Sequence, residues 1–144
     1  MLGSRHVITL ELARALAAVA EREILSHRFS MFVAIVDDAG TPMHVERLND
    51  AQAASYEIAV RKAQAAVAFR RPTKAFEERI LGGRVNLLSM PGIIAVEGGV
   101  PLAVAGTVIG AVGVSGGTGV EDGLVAGAVA AALPELAGIA PDLK

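Results

Sequence analysis

Residues 33–51 read VAIVDDAGTPMHVERLNDA, and the fold turns on how this stretch is divided. Two short apolar runs, MFVAIVDD from Met31 and MHVERL from Met43, bracket Ala39-Gly40-Thr41-Pro42. Branched runs on either side of a Gly/Pro turn predict a β-hairpin. Before the hairpin, Thr9 precedes LELARALAAVAEREILSHR, in which Leu10, Ala13, Leu16, Ala17, Ala20 and Ile24 share a face. That is a capped amphipathic helix ending near His27 and Arg28. After the hairpin, Asp50 is placed to cap a second helix running to about Arg70, with Ala54, Ile58, Arg61/Lys62, Ala65 and Phe69 at helical spacing. Pro72 stops it, Thr73 offers the next N-cap, and a short helix KAFEERILG ends at Gly82-Gly83.

Beyond Pro91-Gly92 the runs IIAVEGG, VPLAVAG and TVIGAVGVSGG are β-branched and separated by glycines, and predict strands three, four and five of an antiparallel meander. Asp122 falls in the first turn of a last helix, where a carboxylate favours the helix dipole. The expected order is α-β-β-α-α-β-β-β-α. Strands grouped between helices, without strict βαβ alternation, indicate an α+β, profilin-like layer: a five-stranded antiparallel sheet flanked by helices.

With 144 residues the chain is one domain, residues 1–144, of a size that buries about 70% of the unfolded surface. Hydrophobic residues make up 53% and mean hydropathy is +0.51, yet only Phe29, Phe32, Tyr56, Phe69 and Phe76 are aromatic. Alanine (27) and glycine (16) supply the apolar character instead. This excludes disorder. The longest apolar stretch, Ile93 to Val114, is interrupted by Glu97, Pro101 and glycines, so no membrane span is expected. Glu11 and Arg14 inside the first apolar run argue against a signal peptide and for a cytoplasmic protein. The absence of cysteine removes disulfides and thiolate chemistry. A net charge of −2 gives no footprint for nucleic acid.

The chemistry rests on few residues. His6, His27 and His44 are too scattered for a metal motif, so no metal site built from protein side chains alone is expected; His27 or His44 could serve singly as an axial ligand to haem iron. Ser115-Gly116-Gly117-Thr118 joins a strand to a helix, where converging N–H groups bind a carboxylate or phosphate, or simply satisfy a tight turn. Ser115 lacks the G-x-S-x-G frame of a nucleophile elbow. Arg47 closes the second strand just ahead of the helix bearing Ser55 and Lys62, which are seven residues apart and share a face. Arg47 could clamp a carboxylate through its fork, with Lys62 as a second charge or a proton donor; the plainer alternative pairs Lys62 with Asp37, Asp38 or Glu57.

Taken together, VAIVDDAGTPMHVERLNDA, SYEIAVRKAQAAVAFRRPT and GGVPLAVAGTVIGAVGVSGG with Asp122 downstream resemble the GlcG/HbpS-like family of haem-binding proteins, which includes the PduO C-terminal type. The blocks stand in the family's order from about Ile8 to Leu133 and match it at positions including Asp37, Gly40, Arg47, Ser55, Lys62, Pro72, Gly98, Gly99, Ser115 and Gly116. The resemblance implies a dimer-based homo-oligomer and members associated with haem, with corrinoids or with ring-cleavage products of aromatic catabolism. In one place the chain departs: Arg47-Leu48-Asn49-Asp50-Ala51 stands where the family usually has Arg-Met-Asp-Gly-Ala, which should alter the loop beside the ligand pocket.

Three functions are compatible with these residues. The first is a homo-oligomer binding haem or a similar flat carboxylated molecule near a subunit interface, through Arg47, Ser55, Lys62, Ser115, Gly116 and either His27 or His44. The second is a cofactor-independent tautomerase, hydrolase or deaminase, with Arg47 anchoring a substrate carboxylate, Lys62 as general acid or base, and the Ser115 and Gly116 N–H groups facing an oxyanion. The third is a scaffold whose role is assembly. A positive hydropathy carried by alanine and glycine favours apolar surface shared between subunits.

Overall fold

A computed structural model describes residues 1–139. Its elements run α1 (Leu10–His27), β1 (Phe32–Asp37), β2 (Pro42–Arg47), α2 (Ser55–Phe69), α3 (Thr73–Leu81), a 3-10 turn (Val85–Ser89), β3 (Gly99–Val104), β4 (Thr107–Ser115) and α4 (Gly119–Leu136). The sheet is antiparallel with order β2-β1-β4-β3.

The α+β class and the element order hold, with one strand fewer than expected. IIAVEGG, predicted as strand three, forms no strand of its own: it meets the sheet only at its end, where the Gly98 carbonyl accepts from the Val114 amide at 2.9 Å and Gly99 begins β3. Gly98 is the reason. Its φ is +133°, and a Cβ there would lie 2.6 Å from the Val114 carbonyl and 2.8 Å from Lys62 Nζ. The backbone must turn at this point to pack against both, so Ile93 and Ile94 cannot continue into β3 as one extended strand.

The β1–β2 hairpin forms where the sequence places it. Gly40 takes φ +81° in the turn, and Asp37 Oδ1 accepts from the Ala39 and Thr41 amides at 2.9 Å each. Thr9 caps α1, accepting from the Leu12 amide at 3.1 Å, and left-handed Arg28 ends it. Two expected caps are not used. Asp50 sits in the loop with φ +69°, five residues before α2 begins, and Ala54 occupies the N-cap without a side-chain bond. Thr73 lies inside α3 behind Pro72, and its buried hydroxyl instead accepts from the Gly99 amide at 2.9 Å, tying α3 to the start of β3.

Helices cover both faces of the sheet. On one, α1 and α4 bury Leu16, Ile24, Val125 and Val129 against Val33, Ile35, Val112 and Val114. On the other, α2 lays Ala59, Ala63 and Ala66 on Ala34, Val36 and Ala111. Gly113 makes the second contact possible: an added Cβ would run into the Ala59 carbonyl and come within 2.7 Å of the Ala63 amide. The small residues therefore do much of their work inside the subunit, setting α2 nearly backbone to backbone on β4.

Candidate functional site

The expected site residues separate into a buried cluster and an exposed groove. In the cluster, Lys62 is 1% exposed and extends from α2 around the end of β4. Its Nζ donates to the Val114 carbonyl at 3.0 Å and to Asp122 Oδ2 at 2.9 Å. The partner is thus none of the three acids expected. Asp37 is spent on its own turn, Asp38 pairs with Arg5 at 2.7 Å, and Glu57 pairs with Arg61 at 2.8 Å. Nothing in the sequence flagged a contact across 60 residues, beyond the placement of Asp122 at a helix start.

Asp122 also fills the loop that the sequence offered as an anion cradle. Its Oδ1 accepts from the Gly117 amide at 2.9 Å, while Glu121 accepts from the Thr118 amide at 2.9 Å and completes a capping box. The chain's own carboxylates thus take the Gly117 and Thr118 donors. Burial pushes the Asp122 carboxyl above its usual range, against the opposing pull of the Lys62 ammonium and the Gly117 amide. Ser115 is buried at the end of β4, and Gly116 takes φ +137° because a Cβ would meet the Ser30 carbonyl at 2.5 Å. Ser55, fully buried at the start of α2, accepts from Gln52 at 3.2 Å.

Arg47 lies outside this cluster. It is exposed at the end of β2, and its Nε and Nη2 donate to the Ala51 carbonyl at 3.1 and 2.7 Å, clamping the intervening loop. The guanidinium lies 5.8 Å over the Phe32 ring, and Phe32 meets Tyr56 edge-on at 5.9 Å. The sequence departure at position 50 does not open the loop, since Asp50 adopts the left-handed backbone that a glycine would take there.

Arg47, Leu48 and Asn49 line one wall of a groove of about 400 Å³, whose other wall is Glu21 and Leu25 of α1 and the following Phe29. His27 stacks on Phe29, ring centroids 5.1 Å apart, with its Nε2 3.6 Å from Glu23. His44 sits farther along β2, half-buried, its Nε2 held 3.2 Å from Glu46 Oε1. Arg47 lines this groove and His27 is linked to it only through Phe29, whereas Lys62, Ser115 and Gly116 are packed elsewhere. Glu46 also lines the groove, and its hydrogen bond and charge raise the Glu21 carboxyl above its usual range. Among the described residues no group of three or more acidic or histidine side chains is arranged to hold a metal ion, and no helix is long and apolar enough to cross a membrane.

Comparison with known proteins gives the family. Residues 8–131 match the family described as haem degrading protein HbpS-like. Protein GlcG of Escherichia coli K12 is 38% identical over 112 residues, covering 78% of this chain and 84% of GlcG. The crystal structure of a Streptomyces reticuli HbpS double mutant superposes with a TM-score of 0.83 at 32% identity, covering 92% of this chain and 90% of that one. A haem complex of PduOC gives a TM-score of 0.79 at 27% identity, over 88% of this chain and 95% of that one. The match spans the hairpin, α2 and β4 alike, and the chain belongs to the HbpS-like family.

Proposed function

We propose that this protein binds haem, or a similarly flat carboxylated molecule, in the groove between the end of α1 and the loop after β2. The observation that carries this reading is the convergence of Arg47 and Phe29 on one groove, with His27 stacked on the same Phe29. The residues fit the group: Leu25, Phe29 and Leu48 for the macrocycle, a guanidinium for a propionate, and an imidazole for iron next to the groove, stacked on Phe29. When bound, haem would supply an iron centre. The chain's part is to ligate through His27, to hold a carboxylate at Arg47 and to cover one face of the ring. Similarity to HbpS and to the PduOC haem complex supports the reading.

An open groove of about 400 Å³ contacts only part of a macrocycle. A second copy covering the remainder would complete the site. Exposed Leu81 at the end of α3, Val85 and Leu88 in the 3-10 turn after it, and Val120 and Leu124 on α4 support self-association. The enzymatic alternative gains nothing from Lys62, whose ammonium is spent on Asp122 and Val114 and does not line the groove.

Haemin titration followed by absorbance tests the proposal. A saturable Soret shift at micromolar protein is expected, weakened at least tenfold by His27→Ala and less by Arg47→Ala. No shift, or one that His27→Ala leaves intact, overturns this assignment.

A further inference from the structure

We infer that a second site, at the turn end of the β1–β2 hairpin, binds small organic monocarboxylates with a branched or aromatic body. The groove at Arg47 lies at the open end of this hairpin, and five residue steps of extended chain put the two sites about 17 Å apart. They share no lining residue.

The site begins with a cavity of about 670 Å³, within the usual range for small-molecule pockets. Its floor is α2, its near wall the Gly40 turn, and its far wall the Pro91–Ile94 segment. Its Ile93 and Ile94 open the run IIAVEGG that the sequence led us to expect as a strand. Freed from the sheet, it lays Ile93 and Ile94 half-buried opposite Val67 and Phe69, which makes an apolar chamber. Gln64 pins the turn, donating from Nε2 to the Gly40 carbonyl at 3.1 Å, so two of the walls are held in place without a ligand.

Charge decides what the chamber accepts. A smaller cavity of about 350 Å³ adjoins it, the two sharing Asp38, Val67 and Ala68. This second lobe is lined by Arg5 and Arg70, and Arg61 stands in the first. Arg5 is paired with half-buried Asp38 and Arg61 with exposed Glu57, and a ligand can compete for either arginine. Arg70 makes no ion pair among the described residues. Three guanidiniums against one lining carboxylate favour an anion, and a fork donor suits a carboxylate. The apolar body then occupies the Ile93–Ile94 chamber and the carboxylate lies toward Arg70.

Phenylacetate, with neutral phenylacetamide as comparator, tests this by backbone amide NMR on the full chain. Saturable shifts at Gly40, Ile93 and Ile94 are expected with phenylacetate at millimolar concentration, and at least about fivefold weaker binding of phenylacetamide. Arg70→Gln should abolish that difference, and Ala68→Trp, at an exposed position on the shared floor, should abolish binding while leaving the spectrum otherwise folded. Equal binding of the two probes, shifts confined to the Arg47 groove, or no saturation overturns the inference. Haemin titration of Arg70→Gln should be unchanged, which separates this site from the first.

Discussion

Lys62 and Asp122 meet at 2.9 Å with side chains only 1% and 3% exposed, and their contact joins the helical layers on opposite faces of the sheet. The bond passes around the end of β4, where the Val114 carbonyl and the Gly117 amide complete it, so β4, α2 and α4 share one polar node. Every buried polar side-chain atom among the described residues has a partner, which leaves this node satisfied but sensitive to loss of any member.

Removing one partner leaves the other charge buried and alone. Lys62→Met and Asp122→Leu should each cost about 3–5 kcal/mol, whereas the double replacement should recover most of that loss because the uncompensated charge is gone. Urea unfolding of the four proteins measures it. Additive losses would show that the node does not act as a pair.

Gly113→Ala should destabilise by about 3 kcal/mol or more, since the new methyl meets α2 backbone that cannot move aside. Gly127→Ala in α4, where a Cβ has nothing within 4 Å, should stabilise by about 0.5–1 kcal/mol through helix propensity alone. Thermal melts of both variants separate close packing from composition.

Asp50 holds φ +69°, a backbone that costs an L residue more than glycine. Asp50→Gly should therefore leave the loop unchanged and raise stability by about 0.5 kcal/mol, with Arg47 still bound to the Ala51 carbonyl. A loss of haemin affinity without a loss of stability would instead give the Asp50 carboxylate a place in binding.

The Glu21 carboxyl is raised by Glu46 through a hydrogen bond and through its charge, with Arg22 opposing. A raised acid stabilises the fold below its ordinary value of 4.5, and this contribution is lost as pH climbs through the native value. Glu46→Gln should return Glu21 toward 4.5 in a carboxyl NMR titration, while taking the negative charge away from His44. In the groove, protonation removes one negative charge, so a carboxylated ligand should bind more tightly as pH falls through the Glu21 titration.

The hairpin, the Thr9 cap, α2 and the run into β4 were legible because each is local: a turn, a cap or a periodicity declares it. The missing strand was not, since Ile93–Val96 has strand composition and only the positive-φ turn at Gly98, close against Val114 and Lys62, keeps it off the sheet. The site divides the same way. Arg47 was legible from its place at a strand end. Asp122 as the partner of Lys62 was not, because chain separation hides which acid a lysine will find, and three nearer acids were locally better placed. For the Gly117 and Thr118 amides the sequence left an anion cradle and a plain tight turn equally open, and two carboxylates on the following helix hold them.

The order β2-β1-β4-β3 leaves the sheet two bare margins, and each margin carries a proline: Pro42 opens β2 and Pro101 lies within β3. An imino acid has no amide hydrogen to offer an incoming chain, and Glu46 and Arg47 add charge along β2. Neither margin is then a good template for adding strands from another molecule. That guards a small, alanine-rich, apolar chain against growing into fibres by strand addition.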